Sequence, residues 1–298
     1  MKKIAVLMGG DSNEREISID SGRNIAEALK SLEKYDVIPV ILEKNDLSAM
    51  PDDVDAVYIA LHGGWGESGG VQAALDERKI PYTGSGAFAS RIAMDKIKTK
   101  MVLEMKAVPT AAWGLANRDT EKPPLPLPVV VKPPCDGSSV GISKVSSQED
   151  WRHALETAFN CQKNDNPVLV EEFIPGREFT VAVVDGQTWP VIEIVAAGGW
   201  YGYEEKYVST ETAYPFLDDK ELSDKLGKLA VDAYNAIGCR GVARVDFRVS
   251  PLGRCYVLEL NTSPGFTSHS LVPKAGMKTG LSFAQICDLI LSKAKFGK

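Results

Sequence analysis

Two short stretches hold the residue types that chemistry needs at close spacing. Arg244-Val245-Asp246 is one, and Glu259-Leu260-Asn261-Thr262-Ser263-Pro264-Gly265 is the other. Val242 to Val249 and Cys255 to Leu260 are apolar-rich runs, and Ser250-Pro251-Leu252-Gly253 supplies a turn between them. The pattern predicts a hairpin in which Asp246 and Glu259 face each other. Hard oxygen ligands on a rigid ladder suit Mg2+, which takes one or two carboxylates and fills its other sites with water and phosphate oxygens. A surface hairpin with an Arg244–carboxylate ion pair is the competing reading.

Other segments offer parts of a nucleotide site. Lys132 closes an apolar run and is followed by Pro133-Pro134-Cys135-Asp136-Gly137-Ser138-Ser139. A lysine and a small-residue loop can hold phosphate oxygens by charge, N–H and hydroxyl groups. The P-loop pattern does not occur, so the usual P-loop class lacks support. Val168 to Glu172 ends in two acids before Phe173 and Ile174. Backbone groups of Phe173 and Ile174, with Glu171, can read an adenine edge in an apolar slot, and Glu178 can reach a ribose hydroxyl. Trp200 to Tyr207, flanked by Gly198-Gly199, lacks periodicity and reads as a lid. His62 and His269 lie in glycine- or serine-rich loops, whereas His153 fits a surface helix position.

The elements that must position these groups change style along the chain. Ile4 to Met8, Val37 to Leu42 and Ala56 to Leu61 read as strands, with a helix from Glu14 carrying Ile17, Ser21, Ile25, Ala28 and Leu29 on one face. Val71 to Asp76 reads as a short helix and Ile80 to Tyr82 as a short strand. Alternation of strands and helices implies a mostly parallel sheet, with Gly9-Gly10 and His62-Gly63-Gly64 on its carboxyl edge. Pro123 to Pro128 reads as an extended connector. Beyond it, Val129 to Lys132, Val168 to Phe173, Glu178 to Val184 and Trp189 to Val195 are strands, and Gln148 to Phe159 and Asp219 to Ile237 are helices. The first half is thus α/β and the second α+β with antiparallel pairs.

The 298 residues suffice for two or three compact units, and a net charge of -6 argues against a general nucleic-acid binder. No apolar run reaches membrane-spanning length, and the apolar start runs into Asp11 and Glu14 too soon for a signal peptide. Five scattered cysteines without metal-ligand spacing fit reduced thiols in a cytoplasmic protein.

Taken in order, these motifs resemble the ATP-grasp superfamily and, within it, the D-alanine–D-alanine ligases. Glu14-Arg15-Glu16-Ile17-Ser18, His62-Gly63-Gly64, Tyr82 to Gly86, Met94-Asp95-Lys96, the lid, and Asn261 to Pro273 carry the likeness over nearly the whole chain. It implies an ATP-grasp fold with an N-terminal Rossmann-like domain, and domains of residues 1–92, 93–177 and 178–298. Lys96, Lys132, Ser138, Ser139 and Lys206 would hold phosphates, and Glu171, Glu172, Phe173, Ile174 and Glu178 the adenosine. Asp246, Glu259 and Asn261 would bind two Mg2+ (or Mn2+) ions. Glu14 would hold the ammonium of the first D-alanine, Ser18 and His62 would belong to the substrate site, and Ser270 and Leu271 would meet the carboxylate of the second. Ser138, Tyr207 and Glu14 would link loop, lid and substrate site, while Arg244 and the Gly265 N–H would stabilise a tetrahedral oxyanion. Peptidoglycan precursor synthesis, a cytoplasmic location and a homodimer are implied too. Trp65, Ser68, Cys135 and Phe266 depart from the family's habit and bear on loop geometry. A D-alanine–D-lactate or D-alanine–D-serine ligase is the alternative within the superfamily, and a nucleotide-binding regulator without catalysis the alternative outside it.

Overall fold

A computed structural model describes residues 1–135, 137, 140–162, 164–196 and 211–297. β1 (Lys2–Gly9), β2 (Tyr35–Leu42) and β3 (Ala56–Ile59) form a parallel sheet in the order β2-β1-β3. β1 is buried from Ile4 to Gly9, which is why it reads as one apolar run rather than an alternation. The helix α1 (Arg15–Ser31) returns the chain between β1 and β2. Its buried face is Ser18, Ile19, Ser21, Gly22, Ile25, Ala26 and Leu29, rotated from the expected stripe, so that Ile17 is only half-buried. Gly22 sets the spacing: a Cβ there would stand 2.5 Å from Met8 Cβ, so the helix rests directly on β1. Gly10 and His62 follow the carboxyl ends of β1 and β3, on the edge expected for a ligand.

After β3 come α2 (Gly64–Glu67), α3 (Gly70–Glu77), α4 (Ala87–Met94) and α5 (Lys96–Met105). Asp95 caps α5 by accepting the Lys98 N–H at 3.1 Å. The expected strand at Ile80 to Tyr82 is reduced to isolated bridges from Tyr82 to Val57 and Lys295.

The second sheet is antiparallel, with β4 (Trp113–Ala116), β5 (Val129–Lys132), β6 (Ser143–Val145) and β7 (Val168–Glu172) in the order β4-β7-β5-β6. α6 (Trp151–Cys161) covers one face with Trp151, Leu155 and Phe159 against Val129, Val131, Val168 and Val170. The proline run therefore does not separate the two halves of the molecule. It is a loop between β4 and β5 of one sheet, and a Cβ on Gly114 of β4 would stand 3.0 Å from Pro124 Cγ. Prolines exclude a strand there because they lack the N–H that a ladder requires.

The third sheet contains β8 (Arg177–Val184), β9 (Gln187–Thr188), β10 (Ile192–Ile194), β11 (Val242–Val249) and β12 (Cys255–Asn261). Its order is β10-β8-β11-β12, with β9 pairing β8. Trp189 to Val195 is thus not one strand, because Pro190 falls in the break before β10. α7 (Lys220–Ile237), capped by Asp219, packs Leu226, Ala230, Tyr234 and Ile237 onto Phe179, Val181, Val245 and Phe247. The opposite face joins the first sheet's core through α8 (Leu271–Lys278) and α9 (Phe283–Ser292), with Val272, Ala275, Ile286 and Ile290 reaching Ile25 and Leu29. Lys34 and Tyr35 both donate to Asp288 of α9, at 2.7 and 2.6 Å. No helix among the described residues is long and apolar enough to cross a membrane.

Candidate active site

The hairpin forms in the expected register. Asp246 pairs with Glu259 and Arg244 with Asn261, and a bulge follows Asp246. Arg244 and Asp246 are two residues apart and so share a sheet face. Arg244 Nε donates to Asp246 Oδ1 at 2.9 Å and Nη2 to Oδ2 at 2.8 Å. The hairpin thus carries both facing carboxylates and an arginine ion pair, and its strand β11 is largely buried rather than on the surface. Thr180 Oγ1 on β8 adds a 2.6 Å hydrogen bond to Asp246 Oδ1, which follows from the Asp246–Thr180 register. Lys96 Nζ lies 3.7 Å from Glu259 Oε2. Asn261 Oδ1 accepts the Ser263 N–H at 2.8 Å, turning the chain sharply after β12.

Lys132 at the end of β5 pairs with Glu171 of β7, and so does Lys100 of α5. Side-chain exposure is 1% for Lys100, 2% for Glu171 and 13% for Lys132. Burial alone pushes the Glu171 carboxyl up, but the two lysines more than offset it and hold it at about 2. Burial pulls the Lys100 ammonium below its usual value, against the attraction of Glu171. Glu171 is therefore a buried counter-ion to the candidate phosphate lysine, and an adenine contact would come in addition to that duty. Lys100 was not singled out in the sequence; its only signal is a place one helical turn beyond Lys96. Lys96 N–H donates to Pro134 O at 2.8 Å, joining the start of α5 to the loop after Lys132.

At the candidate adenosine slot, Phe173 N–H donates to Pro128 O at 3.1 Å and Ile174 O accepts from Arg248 Nε at 3.1 Å. Two of the four backbone groups expected to read a base are thus engaged within the protein. Glu178 accepts from Arg248 Nη1 at 2.8 Å, and Lys144 Nζ lies 3.9 Å from the Phe173 ring centroid. Arg248 thus organises the slot, and it pairs in register with Glu178. Glu172 is exposed at the end of β7.

Glu14 precedes α1 and lies near both glycine loops. A Cβ on Gly63 would stand 2.7 Å from Glu14 Oε2, and one on Gly137 3.5 Å. Glu67, absent from the expected set, accepts the Gly63 N–H at 3.0 Å; burial, then the charge of Glu14, push its carboxyl up to about 7. Ser18 needs correcting: it is wholly buried, takes the Gly9 N–H at 2.9 Å and donates to Ala60 O at 2.8 Å. It braces β1 to the end of β3 rather than meeting a substrate.

His62 is also buried, with Nε2 3.1 Å from Ser21 Oγ and Nδ1 3.0 Å from Ser263 O. Burial lowers its pKa, so the ring is neutral near pH 7. Both nitrogens are engaged inside the protein, and Nδ1 ties the ring to the loop after β12. Gly265 is half-buried between buried Pro264 and Phe266, and a Cβ on it would stand 2.9 Å from Ser270 Oγ. Ser270 and Leu271 begin α8, and Thr267 N–H donates to Ser270 Oγ at 2.9 Å. His153 is exposed on α6, as expected, and His269 is exposed before α8. Cys239, Cys255 and Cys287 carry free thiols. Ser138, Ser139, Lys206, Tyr207 and the lid from Gly198 lie outside the described residues.

Strand-end lysines, a carboxylate pair and an N-terminal parallel sheet thus converge on one region. Family models described as D-ala D-ala ligase N-terminus and D-ala D-ala ligase C-terminus match residues 3–49 and 101–292. The chain belongs to the D-alanine–D-alanine ligase family. A D-alanine–D-alanine ligase of Syntrophotalea carbinolica is 44% identical over 100% of this chain and 97% of its own. One from Bordetella avium is 43% identical over 98% of this chain and 94% of its own. Among solved structures, the Bacillus anthracis D-alanine–D-alanine ligase aligns with TM-score 0.87 at 34% identity, covering 98% of this chain and 97% of that one. The same enzyme complexed with ATP aligns at 0.85 and 32% identity, with the same coverage. The VanG D-Ala:D-Ser ligase of Enterococcus faecalis aligns at 0.84 and 30% identity, covering 98% of each chain. The fold is that of the ATP-grasp ligases.

Proposed function

We propose the following assignment of this ligase's chemistry to its residues. As a member of its family the chain is an ATP-dependent ligase that joins two D-alanines for peptidoglycan precursor synthesis. The observation that carries the residue-level reading is the facing Asp246–Glu259 pair with Arg244 and Asn261 in the next register and Lys96 beside Glu259.

A carboxylate is a poor electrophile, so the first D-alanine must be activated. Its carboxylate oxygen bonds the γ-phosphorus of ATP as the bond to the β-phosphate oxygen breaks, giving D-alanyl phosphate and ADP. Lys96 and Lys132 hold the phosphates, assisted by Ser138, Ser139 and Lys206. Phe173, Ile174 and Glu178 receive the adenosine, while Glu14 holds the first ammonium. The neutral amine of the second D-alanine then attacks the carbonyl, and phosphate leaves as the tetrahedral centre collapses. Arg244 and Gly265 N–H stabilise the oxyanion of that step, while Ser270 and Leu271 hold the second carboxylate. Tyr207, Ser138 and Glu14 tie lid to site and keep water from the acyl phosphate.

The donor set of two carboxylates and one amide oxygen on adjacent strands fits Mg2+ or Mn2+ with phosphate oxygens completing the shell. Among the described residues no three His, Cys, Asp or Glu side chains cluster as a stand-alone metal cage. Asp246, Glu259 and Asn261 would hold the two ions, which supply charge neutralisation on the transferred phosphoryl group. The domain boundaries after residues 92 and 177, the homodimer and the cytoplasmic location belong to the same proposal. Each sheet falls within one of those three segments apart from Arg177, the first residue of β8, and the free thiols of Cys239, Cys255 and Cys287 fit a reducing compartment.

Phosphate release from MgATP, measured with D-alanine, D-lactate, D-serine or L-alanine as acceptor, tests the reading. D-alanine-dependent release with a D-alanyl-D-alanine product is expected. Release only with D-alanine plus D-serine would move the enzyme toward the specificity named for the VanG neighbour. No release with any D-amino acid would overturn the proposal.

A further inference from the structure

The loop that carries Gly265 is held from outside its own sheet by a polar chain with one allowed proton arrangement. Ser263 O is a carbonyl and can only accept, so His62 Nδ1, 3.0 Å away, must carry the ring proton. His62 Nε2 is then a bare acceptor, and Ser21 Oγ at 3.1 Å must donate to it. The remaining capacity of Ser21 Oγ accepts the Phe266 N–H at 3.1 Å. Ser263 Oγ also donates to Leu61 O at 2.7 Å. The chain thus pins the carbonyl of residue 263 and the amide of residue 266, and only Pro264 and Gly265 lie between. Ser21 is wholly buried, and His62, Ser263 and Phe266 nearly so, so these bonds are shielded from bulk solvent.

We propose that Ser21, acting through His62, is a positioning residue that aims the Gly265 N–H for the amine-attack step. This rests on Gly265 and Arg244 serving the oxyanion. Ser21 comes from α1 and His62 from the end of β3, whereas Gly265 follows β12. The first sheet therefore controls the second half-reaction at a residue that need touch neither substrate. Only neutral His62 fits this chain, because imidazolium would place a second donor on Ser21 Oγ and strip its proton of an acceptor. Burial and Arg244 favour the neutral ring, while Glu14 and the Ser263 carbonyl oppose them.

The two half-reactions give a readout that general loosening would not move. A misaimed oxyanion donor slows amine attack but not phosphoryl transfer, so D-alanyl phosphate persists longer and more of it is lost to water. For Ser21→Ala we expect dipeptide turnover to fall about tenfold to a hundredfold, the scale of a misplacement near 1 Å. Phosphate released per dipeptide should rise above one, while the KM for ATP changes less than about twofold on the same scale of reasoning. Ser21→Thr keeps the hydroxyl, and its methyl can enter the cavity lined by Ser21, Tyr58, Thr83 and Phe266; it should restore a ratio near one. If Ser21→Ala does not fold, Ser21→Cys, close in volume but a weak donor, carries the same test. A ratio that stays at one with reduced turnover, or a loss shared equally with ATP binding, would overturn the proposal. Arg244→Ala run alongside separates the two ideas. If Ser21→Ala uncouples the reaction while Arg244→Ala is inert, the clasp and the Gly265 N–H stand and Arg244 leaves the oxyanion assignment. If Arg244→Ala collapses turnover while Ser21→Ala keeps the ratio at one, the clasp alone falls.

Discussion

Glu171→Gln tests whether the buried Lys100–Glu171–Lys132 cluster holds the nucleotide site together. The substitution keeps the shape and removes one charge. In the native protein the carboxyl is drawn from 4.5 to about 2. A shift of that size corresponds to about 3 kcal/mol of folding free energy at pH 7. Breaking a buried pair by removing one partner costs on the order of 3–5 kcal/mol, an independent route to the same scale. Exposure does not discount the figure, since Glu171 and Lys100 are almost fully buried. A loss of about 3 kcal/mol is roughly a hundredfold in the folding equilibrium. The pH dependence has a definite sign. A depressed carboxyl contributes fully above the unfolded value and loses its contribution as pH falls through the folded one. The gap between native and variant should therefore narrow from about pH 4.5 downward toward 2. In the variant Lys100 gains a further reason to be neutral, so stability should recover as pH rises toward its ordinary value of 10.5. Urea unfolding of both proteins at several pH values measures all of this. A deficit below about 1 kcal/mol at pH 7, the worth of a surface pair, would refute the claim that this cluster is a buried load on the fold.

Three further substitutions probe the hairpin. Arg244→Ala should lower turnover about a hundredfold or more while nucleotide binding persists, as for loss of an oxyanion donor; titration with an ATP analogue and steady-state rates measure the two separately. Glu259→Gln should weaken the apparent affinity for Mg2+, and an unaltered Mg2+ titration would remove Glu259 from the metal set. Thr180→Val removes the 2.6 Å hydrogen bond to Asp246 Oδ1 and leaves that buried oxygen one donor short. It should cost about 1–3 kcal/mol in thermal or urea unfolding, and an unchanged stability would mean that Arg244 alone satisfies Asp246.

Legibility in the sequence followed the range of the forces involved. The Asp246–Glu259 hairpin could be read because two apolar runs and a Pro-Gly turn fix their own register. The parallel first sheet could be read because burial on both faces leaves continuous apolar runs. Lys100 could not: its partner Glu171 lies on a strand that only the folded sheet brings to α5. Arg248 looks like any strand arginine until Ile174 O and Glu178 arrive beside it. Ser18 and Ser21 left the faint signal of serines on a buried helical face, which marks a need for internal hydrogen bonds without naming the partners. The proline run reads as an extended connector between the two halves because proline reports an interrupted ladder, and a loop within one sheet interrupts it equally well.

The pairings across the site bear on how ATP can enter it. Arg244 lies on Asp246, Lys96 near Glu259, Lys132 on Glu171 and Arg248 on Glu178. A polyanion carrying divalent cations brings both signs of charge at once. In the proposed arrangement Asp246 and Glu259 would hold the metals, leaving Arg244 for the oxyanion and Lys96 for phosphate. Lys132 can turn to phosphate because Lys100 remains on Glu171. Each buried charge thus changes partner without passing through an unpaired state, whose cost would be several kcal/mol. Metal-free ATP would bring only the negative half of that exchange and leave Asp246 and Glu259 competing with it for the same cations. Affinity for ATP should therefore fall steeply on chelation of Mg2+. Glu259→Gln should blunt that dependence, since it removes one competitor and one ligand together. ATP affinity that ignores Mg2+ in both proteins would break the exchange argument at its first step.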